Sequence, residues 1–276
     1  IGGLGFTFKW NMGWMNDSLE YAKEDPLFKK WKHNKLTFSL MYAFSENYIL
    51  PLSHDEVVHG KCSMLSKMPG DYDNKFAALR CFYTYMMGHP GKKLLFMGSE
   101  FGQFIEWRYY EELEWKLLLY PPHVMLRKFV SQLNYYYKNW KPFWECDDGY
   151  EGFEWIDADN GEQSVISFIR KGVSDSDFLI FICNFTPVSY EEYRIGVPRF
   201  CDYREVLNSD STMFGGSGMC NDGVIRPQMV SMHGRNASVV LRLPGNGGLI
   251  LKPEFRDRKK IAPENKVRED GKGDAK

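Results

Sequence analysis

The sequence predicts an α/β segment followed by an all-β segment, and three observations carry that prediction. Residues 48–52 are an apolar run of strand length, Phe76, Leu79, Tyr83 and Met86 recur at steps of three and four, and residues 94–97 are a second apolar run. Strand, helix, strand in that order is a parallel crossover unit. From about Cys146 the pattern shortens into seven stretches of strand length separated by turn residues, with Asn160-Gly161 as a hairpin signal between the first two. That is the pattern of an antiparallel β-sandwich. Finally, 276 residues with 43% hydrophobic and 16% aromatic content suffice for one large or two medium packed units.

Taken in order, residues 1–15 combine glycines with Phe6, Phe8 and Trp10 in alternation, which reads as a short strand entering a loop. Asn16 or Asp17 can cap a helix running to about Lys23, and Asp25-Pro26 ends that unit. The apolar segment 36–42 fits helix or strand equally by periodicity. Past 48–52, Pro69-Gly70 breaks the chain, Asp71 or Asp73 can cap the next helix, and Gly88-His89-Pro90-Gly91 stops it. Leu94-Leu95-Phe96-Met97 is continuous, as expected of a parallel strand covered on both faces. A helix beginning near Pro121-Pro122 carries Leu126, Phe129, Leu133, Tyr136 and Trp140 at helical spacing, which assigns those aromatics to the core.

The seven later strands fall at 152–156, 164–170, 178–184, 190–195, 203–207, 237–243 and 248–251. Gly215-Gly216-Ser217-Gly218 lacks the strand-to-helix setting of a phosphate loop and is expected to be a mobile surface loop. Residues 254–276 have mixed charge and few apolar side chains, the composition of a disordered tail.

A formal charge of −1 without a basic block argues against nucleic-acid binding. The abundance of Trp, Tyr and Phe is compatible with sugar binding, because aromatic faces offer apolar area with a polar rim. The six cysteines, Cys62, Cys81, Cys146, Cys183, Cys201 and Cys220, show no metal or redox spacing and read as reduced thiols. No cationic-apolar leader and no membrane-length apolar run is present, which points to a cytoplasmic protein without a membrane partner. The chain opens at Ile1 without an initiator Met, so it is read as a fragment.

Chemistry concentrates where the run 48–52 ends, in Ser53-His54-Asp55-Glu56-Val57-Val58-His59-Gly60-Lys61. A buried strand delivers polar groups to the mouth of a barrel or sheet in this way. Ser53 or Asp55 capping an ordinary helix would explain the cluster equally well. Zinc fits poorly, since a five-residue step from His54 to His59 separates the rings by about 140° around a helix.

Leu-Ser-His-Asp-Glu-Val-Val-His-Gly-Lys at 52–61 resembles the last catalytic segment of glycogen branching enzymes, members of the alpha-amylase superfamily of retaining enzymes. Two further segments resemble that family in order and spacing. Gly2-Gly3-Leu4-Gly5-Phe6 with Lys9-Trp10-Asn11-Met12-Gly13-Trp14-Met15-Asn16-Asp17 is similar to the stretch after the general acid. Gly91-Lys92-Lys93-Leu94-Leu95-Phe96-Met97-Gly98-Ser99-Glu100-Phe101-Gly102-Gln103 is similar to the final barrel strand and loop, and the likeness runs to about Pro253.

The resemblance implies the C-terminal part of a (β/α)8 TIM barrel over residues 1–145, a β-sandwich domain over 146–253, and helix for 36–42. It implies that Asp55 is the third carboxylate of the site, holding the hydroxyls at carbons 2 and 3 of the transferred sugar, with His54 as a hydrogen-bond donor beside it. The nucleophile and general acid of a retaining mechanism would then precede Ile1, and the chain alone would be inactive. Glu56, His59, Lys61, Trp14 and Glu100 become further candidates for substrate contact, each with a solvated-charge or packing alternative, as do Trp10 and Trp107. The implied partner is an α-glucan such as glycogen or amylose, the implied cofactor is none, and a monomer is expected. A hydrolytic amylase-family relative and a truncated, non-catalytic glucan-binding product are the competing readings.

Overall fold

The structure is a computed structural model that describes residues 4–255. Strand β1 (Lys9–Trp10) pairs in parallel with β2 (Tyr48–Leu52) through Lys9 opposite Tyr48 and Trp10 opposite Ile49. Between them run helix α1 (Met12–Lys23), the single-turn helix α2 (Asn34–Thr37) and a 3-10 turn at Phe38–Met41. Segment 36–42, left open by periodicity, is therefore helical.

Helix α1 begins earlier than the expected caps at Asn16 and Asp17. Its N-cap is Asn11, whose side-chain oxygen accepts the backbone N–H of Trp14 at 2.9 Å. Gly13 disguises this first turn as a loop in the sequence. A Cβ there would stand 2.4 Å from the Tyr42 hydroxyl, so the glycine lets the end of that ring lie against the helix.

Pro51 sits in the middle strand of the three-stranded sheet, a position where a missing N–H is normally costly. Here the geometry spares it. Ile49 faces β1, its carbonyl accepting from Asn11 N–H at 2.8 Å, and Pro51 faces the same side where β1 has already ended.

Helix α3 (Met64–Lys67) is followed by α4 (Tyr72–Gly88), capped by Asp71 through Asn74 N–H at 3.0 Å, and by strand β3 (Lys92–Leu95), parallel to β2 from Ile49 opposite Lys92 to Leu52 opposite Leu95. The crossover unit is present, with one correction. The strand starts two residues before the expected run 94–97, all four of its residues are half-buried, and Met97 is exposed. β3 is the edge of its sheet, so its outer side lacks the cover assumed for a continuous apolar strand. Helix α5 (Pro121–Asn139) buries Leu126, Phe129 and Leu133, and the Tyr136 ring stacks on Trp140 at 4.0 Å.

The second half holds β4 (Phe153–Asp157), β5 (Val165–Lys171), β6 (Phe178–Asn184), β7 (Tyr190–Val197), β8 (Asp202–Asn208), β9 (Ala237–Leu243) and β10 (Gly248–Glu254). All seven predicted strands are present, in an antiparallel sheet of order β4-β5-β6-β10-β8 facing the pair β7-β9. Strand β6 is buried along its whole length because it is covered on both faces. Ile180 and Ile182 join Ile195, Val239 and Leu241 between the sheets, whereas Leu179, Phe181 and Cys183 join the core built on α4 and α5. Close approach is visible at Gly88, where a Cβ would meet the Phe181 ring at 2.6 Å.

The loop at 215–218 is on the surface but anchored: Asp210 accepts Ser217 N–H at 2.9 Å, Ser217 O–H at 2.5 Å and Met219 N–H at 3.1 Å. Of the expected tail, Glu254 instead completes β10, and residues 256–276 lie outside the described residues. The six cysteines are free thiols, and no described helix is long and apolar enough to cross a membrane.

Two buried groups contribute to the loss of stability in acid. His89 donates Nδ1–H to Pro90 O at 2.8 Å and accepts Ser39 O–H on Nε2 at 2.8 Å, and burial lowers its pKa to about 3. Asp147, though buried, is held down to about 2 by Arg170, Lys93, Lys92 and the Gly91 N–H. The unfolded values are higher in both cases, at 6.5 and 3.8, so the unfolded chain takes up protons first as pH falls. Stability is expected to decline from about pH 6.5 on acidification and to keep falling through about pH 2. In urea titrations across that range, His89→Gln should flatten the part above pH 4; an unchanged slope there would assign the loss to other groups.

Candidate active site at the end of strand β2

Leu50 and Leu52 anchor β2 in the core, Ser53 continues it in an extended conformation, and His54–Glu56 then form one 3-10 turn. Neither Ser53 nor Asp55 caps that turn with its side chain, and no α-helix follows directly. The helix-cap explanation of the cluster does not hold.

The turn leaves His54 and Asp55 facing solvent, with side chains 46% and 51% exposed. His54 Nε2 stands 2.9 Å from Asp55 Oδ1, and Ser53 Oγ lies 3.1 Å from His54 Nδ1. A donor at Nε2 toward the carboxylate makes Nδ1 the acceptor for the serine hydroxyl. The second oxygen of Asp55 makes no hydrogen bond among the described residues, so it is available to a hydroxyl arriving from solution. The His54 ring is flanked by Phe96 at 6.0 Å and, edge-on, by Trp107 at 5.9 Å. Both neighbours come from the chain beyond β3: Phe96 N–H donates to Leu52 O at 2.9 Å and Trp107 N–H to Val57 O at 2.7 Å. The C-terminal ends of two parallel strands thus meet at one polar pair beside an aromatic wall, which is where parallel α/β folds place their ligands.

The other candidates separate. Trp14 is wholly buried, stacked near Phe82 and Tyr85 and donating its indole N–H to the Tyr85 hydroxyl at 3.2 Å. It cannot stack on a sugar, which corrects that expectation; Trp107 stands at the site and Trp10 is partly exposed. Glu56 turns inward, pairs with Lys61 Nζ at 2.9 Å and borders a cavity of about 290 Å³ shared with Glu20, Lys23 and Lys32. His59 is fully exposed, 3.4 Å from Glu106, and Glu100 is half-buried in a 3-10 turn after β3. Sequence reasoning passed over Glu106, whose carboxylate accepts Cys62 N–H at 2.8 Å, and Lys67. Neither belongs to the cluster at 53–61, and nothing in their local spacing marked them.

Residues 155–254 match the family described as the alpha amylase, C-terminal all-beta domain. Over 253 residues, 92% of the chain, the sequence is 57% identical to the 1,4-alpha-glucan branching enzyme GlgB of Halothermothrix orenii. Over most of its length the chain is similar to these branching enzymes. The corresponding proteins of Bacillus cytotoxicus and Bacillus caldolyticus are each 54% identical over 252 residues, 91% of the chain. The chain spans about 40% of the length of these curated relatives: 40%, 39% and 38% respectively. Among solved structures, a pullulanase type I of Bacillus subtilis is matched over 89% of the chain and 35% of its own, with a TM-score of 0.62. An alpha-amylase of H. orenii is matched over 91% and 49%, with a TM-score of 0.55. Both are 15% identical and speak for the fold alone.

Proposed function

We propose that these residues are part of an enzyme that cuts an α-1,4-glucan, holds the segment covalently and transfers it to a 6-hydroxyl of an acceptor chain. The observation that carries this is the half-free Asp55 carboxylate beside His54, at the exit of β2, in a chain 57% identical to a branching enzyme. In this reading Asp55 binds two adjacent sugar hydroxyls, His54 donates to one of them and orients the carboxylate, and Trp107 offers a wall against which a ring can rest. Such transfer requires no cofactor.

A retaining mechanism needs a nucleophile and a general acid about 5–5.5 Å apart. The segments resembling the family supply only the third acid, so the other two are assigned to residues outside 1–276. The parallel strands β1, β2 and β3 correspond in this reading to the last three strands of an eight-stranded barrel occupying 1–145, with the sandwich domain at 146–253. The exposed Leu4, Phe6 and Phe8 leading into β1, an open sheet edge, support that assignment.

Amylose incubated with the full-length protein should gain α-1,6 linkages without a matching rise in reducing ends. A rise in reducing ends alone would make the protein a hydrolase. The purified 276-residue chain should produce neither, and branching by that chain would overturn the placement of the two missing acids.

A further inference from the structure

Between Asp55 and α3 the chain folds back on itself, and three of its carbonyl oxygens converge on one nitrogen. Lys67 Nζ, at the end of the single-turn α3, donates to Glu56 O at 2.5 Å, to Cys62 O at 2.7 Å and to Lys61 O. The side chain is 5% exposed, no carboxylate pairs with it among the described residues, and its three N–H donors meet three acceptors. Burying an ammonium without a counter-ion is costly, and burial holds this pKa down to about 8. The fold bears that cost at the loop next to Asp55. A ring of backbone carbonyls is also how proteins seat free monovalent cations.

The outer side of the same loop is fixed separately. Glu106 takes Cys62 N–H, Lys61 Nζ pairs with Glu56, and Val57 O accepts from Trp107, whose ring abuts His54. We propose that Lys67 is a positioning residue: its ammonium is a tethered cation seated in the carbonyls of Glu56, Lys61 and Cys62, and it fixes the 56–62 loop and, through Glu56, the orientation of the His54–Asp55 pair. The effect on turnover rests on the reading of Asp55 given above; the effect on the loop does not.

Lys67→Ala removes three methylenes and the ammonium, a deletion that propylammonium can fill. In the full-length protein this variant should lose about tenfold or more of the amide-exchange protection at residues 57–62 and about tenfold or more in kcat on amylose, with little change in KM. Propylammonium at millimolar concentration should restore both, and 1-propanol neither. Lys67→Met keeps the aliphatic stem without the charge and should show the same losses, which guards against misfolding of the alanine variant. Unchanged loop exchange in both variants, or equal rescue by propanol, would reduce Lys67 to ordinary packing. Restored exchange with kcat unaltered throughout would remove the positioning role. Failure of the Asp55 reading itself is recognised separately, by normal turnover of Asp55→Asn.

Discussion

Asp55→Asn in the full-length protein is expected to cut turnover on amylose by at least about a hundredfold. The carboxylate can give a sugar charge-assisted hydrogen bonds of about 1.5–3 kcal/mol each. Only the portion that strengthens as the ring distorts toward an oxocarbenium-like state raises the rate. At about 1.36 kcal/mol per decade, a few kcal/mol of such differential binding gives two to four orders of magnitude. Asn preserves the shape but exchanges one acceptor for an N–H donor and removes the charge. Because the native side chain is half exposed and bonded only to His54, stability should change by no more than about 0.5 kcal/mol. A large fall in kcat with an unchanged melting temperature is therefore the signature. Near-normal turnover would dissociate Asp55 from the chemistry.

Much of the fold was legible because burial is periodic. Strands β6 and β9 lie at their predicted limits, Asp71 is the one of the two expected caps that serves, and α4 ends at Gly88, the first residue of the expected stop. The strand leading into the 53–61 cluster was legible for the same reason: a short apolar run followed by titratable residues is what a strand exit looks like. The errors share a cause, which is that local sequence does not reveal what covers an element. The start of α1 was missed because Gly13 signals a loop, although it serves contact with Tyr42. The limits of β3 were missed because an edge strand was read as a covered one. Trp14 was a plausible sugar platform until its neighbours Phe82 and Tyr85, some seventy residues along the chain, enclosed it.

Lys67 and Arg170 were invisible for a further reason. Apart from Asp147, which lies 23 residues before Arg170, their partners are backbone carbonyls, which carry no sequence signature, and a lone Lys or Arg in an apolar stretch reads as a surface charge. Arg170 lies on β5 in the run Val165–Lys171, which is otherwise almost wholly buried.

Arg170→Met is expected to destabilise the protein by about 3–5 kcal/mol at neutral pH. The guanidinium is fully buried where β5 meets the end of α4 and the start of β3. It donates to Gly88 O at 2.8 Å, Gly152 O at 3.2 Å, Phe143 O at 3.3 Å and Asp147 Oδ1 at 2.9 Å. Met fills similar volume but supplies no donor, leaving three carbonyls short of a partner and Asp147 without its buried counter-ion. Lys92, 3.1 Å from the other carboxylate oxygen, is partly exposed, and Lys93, whose pKa burial lowers to about 7, gives its N–H donors to His89 O and Gly91 O, so the two lysines replace only part of that field. The pH dependence separates this mechanism from simple mispacking. In the native protein Asp147 stays ionised down to about pH 2, whereas in the variant burial without the guanidinium raises its pKa. Protonation then relieves the uncompensated charge, so the gap between native and variant should narrow as pH falls below about 5. Adding Asp147→Asn to Arg170→Met should cost less than the sum of the single changes. Denaturation midpoints at pH 7 and pH 4 decide the matter: a loss below about 1 kcal/mol at neutral pH, or one that does not narrow in acid, would show that the pair contributes no electrostatic stability at this junction.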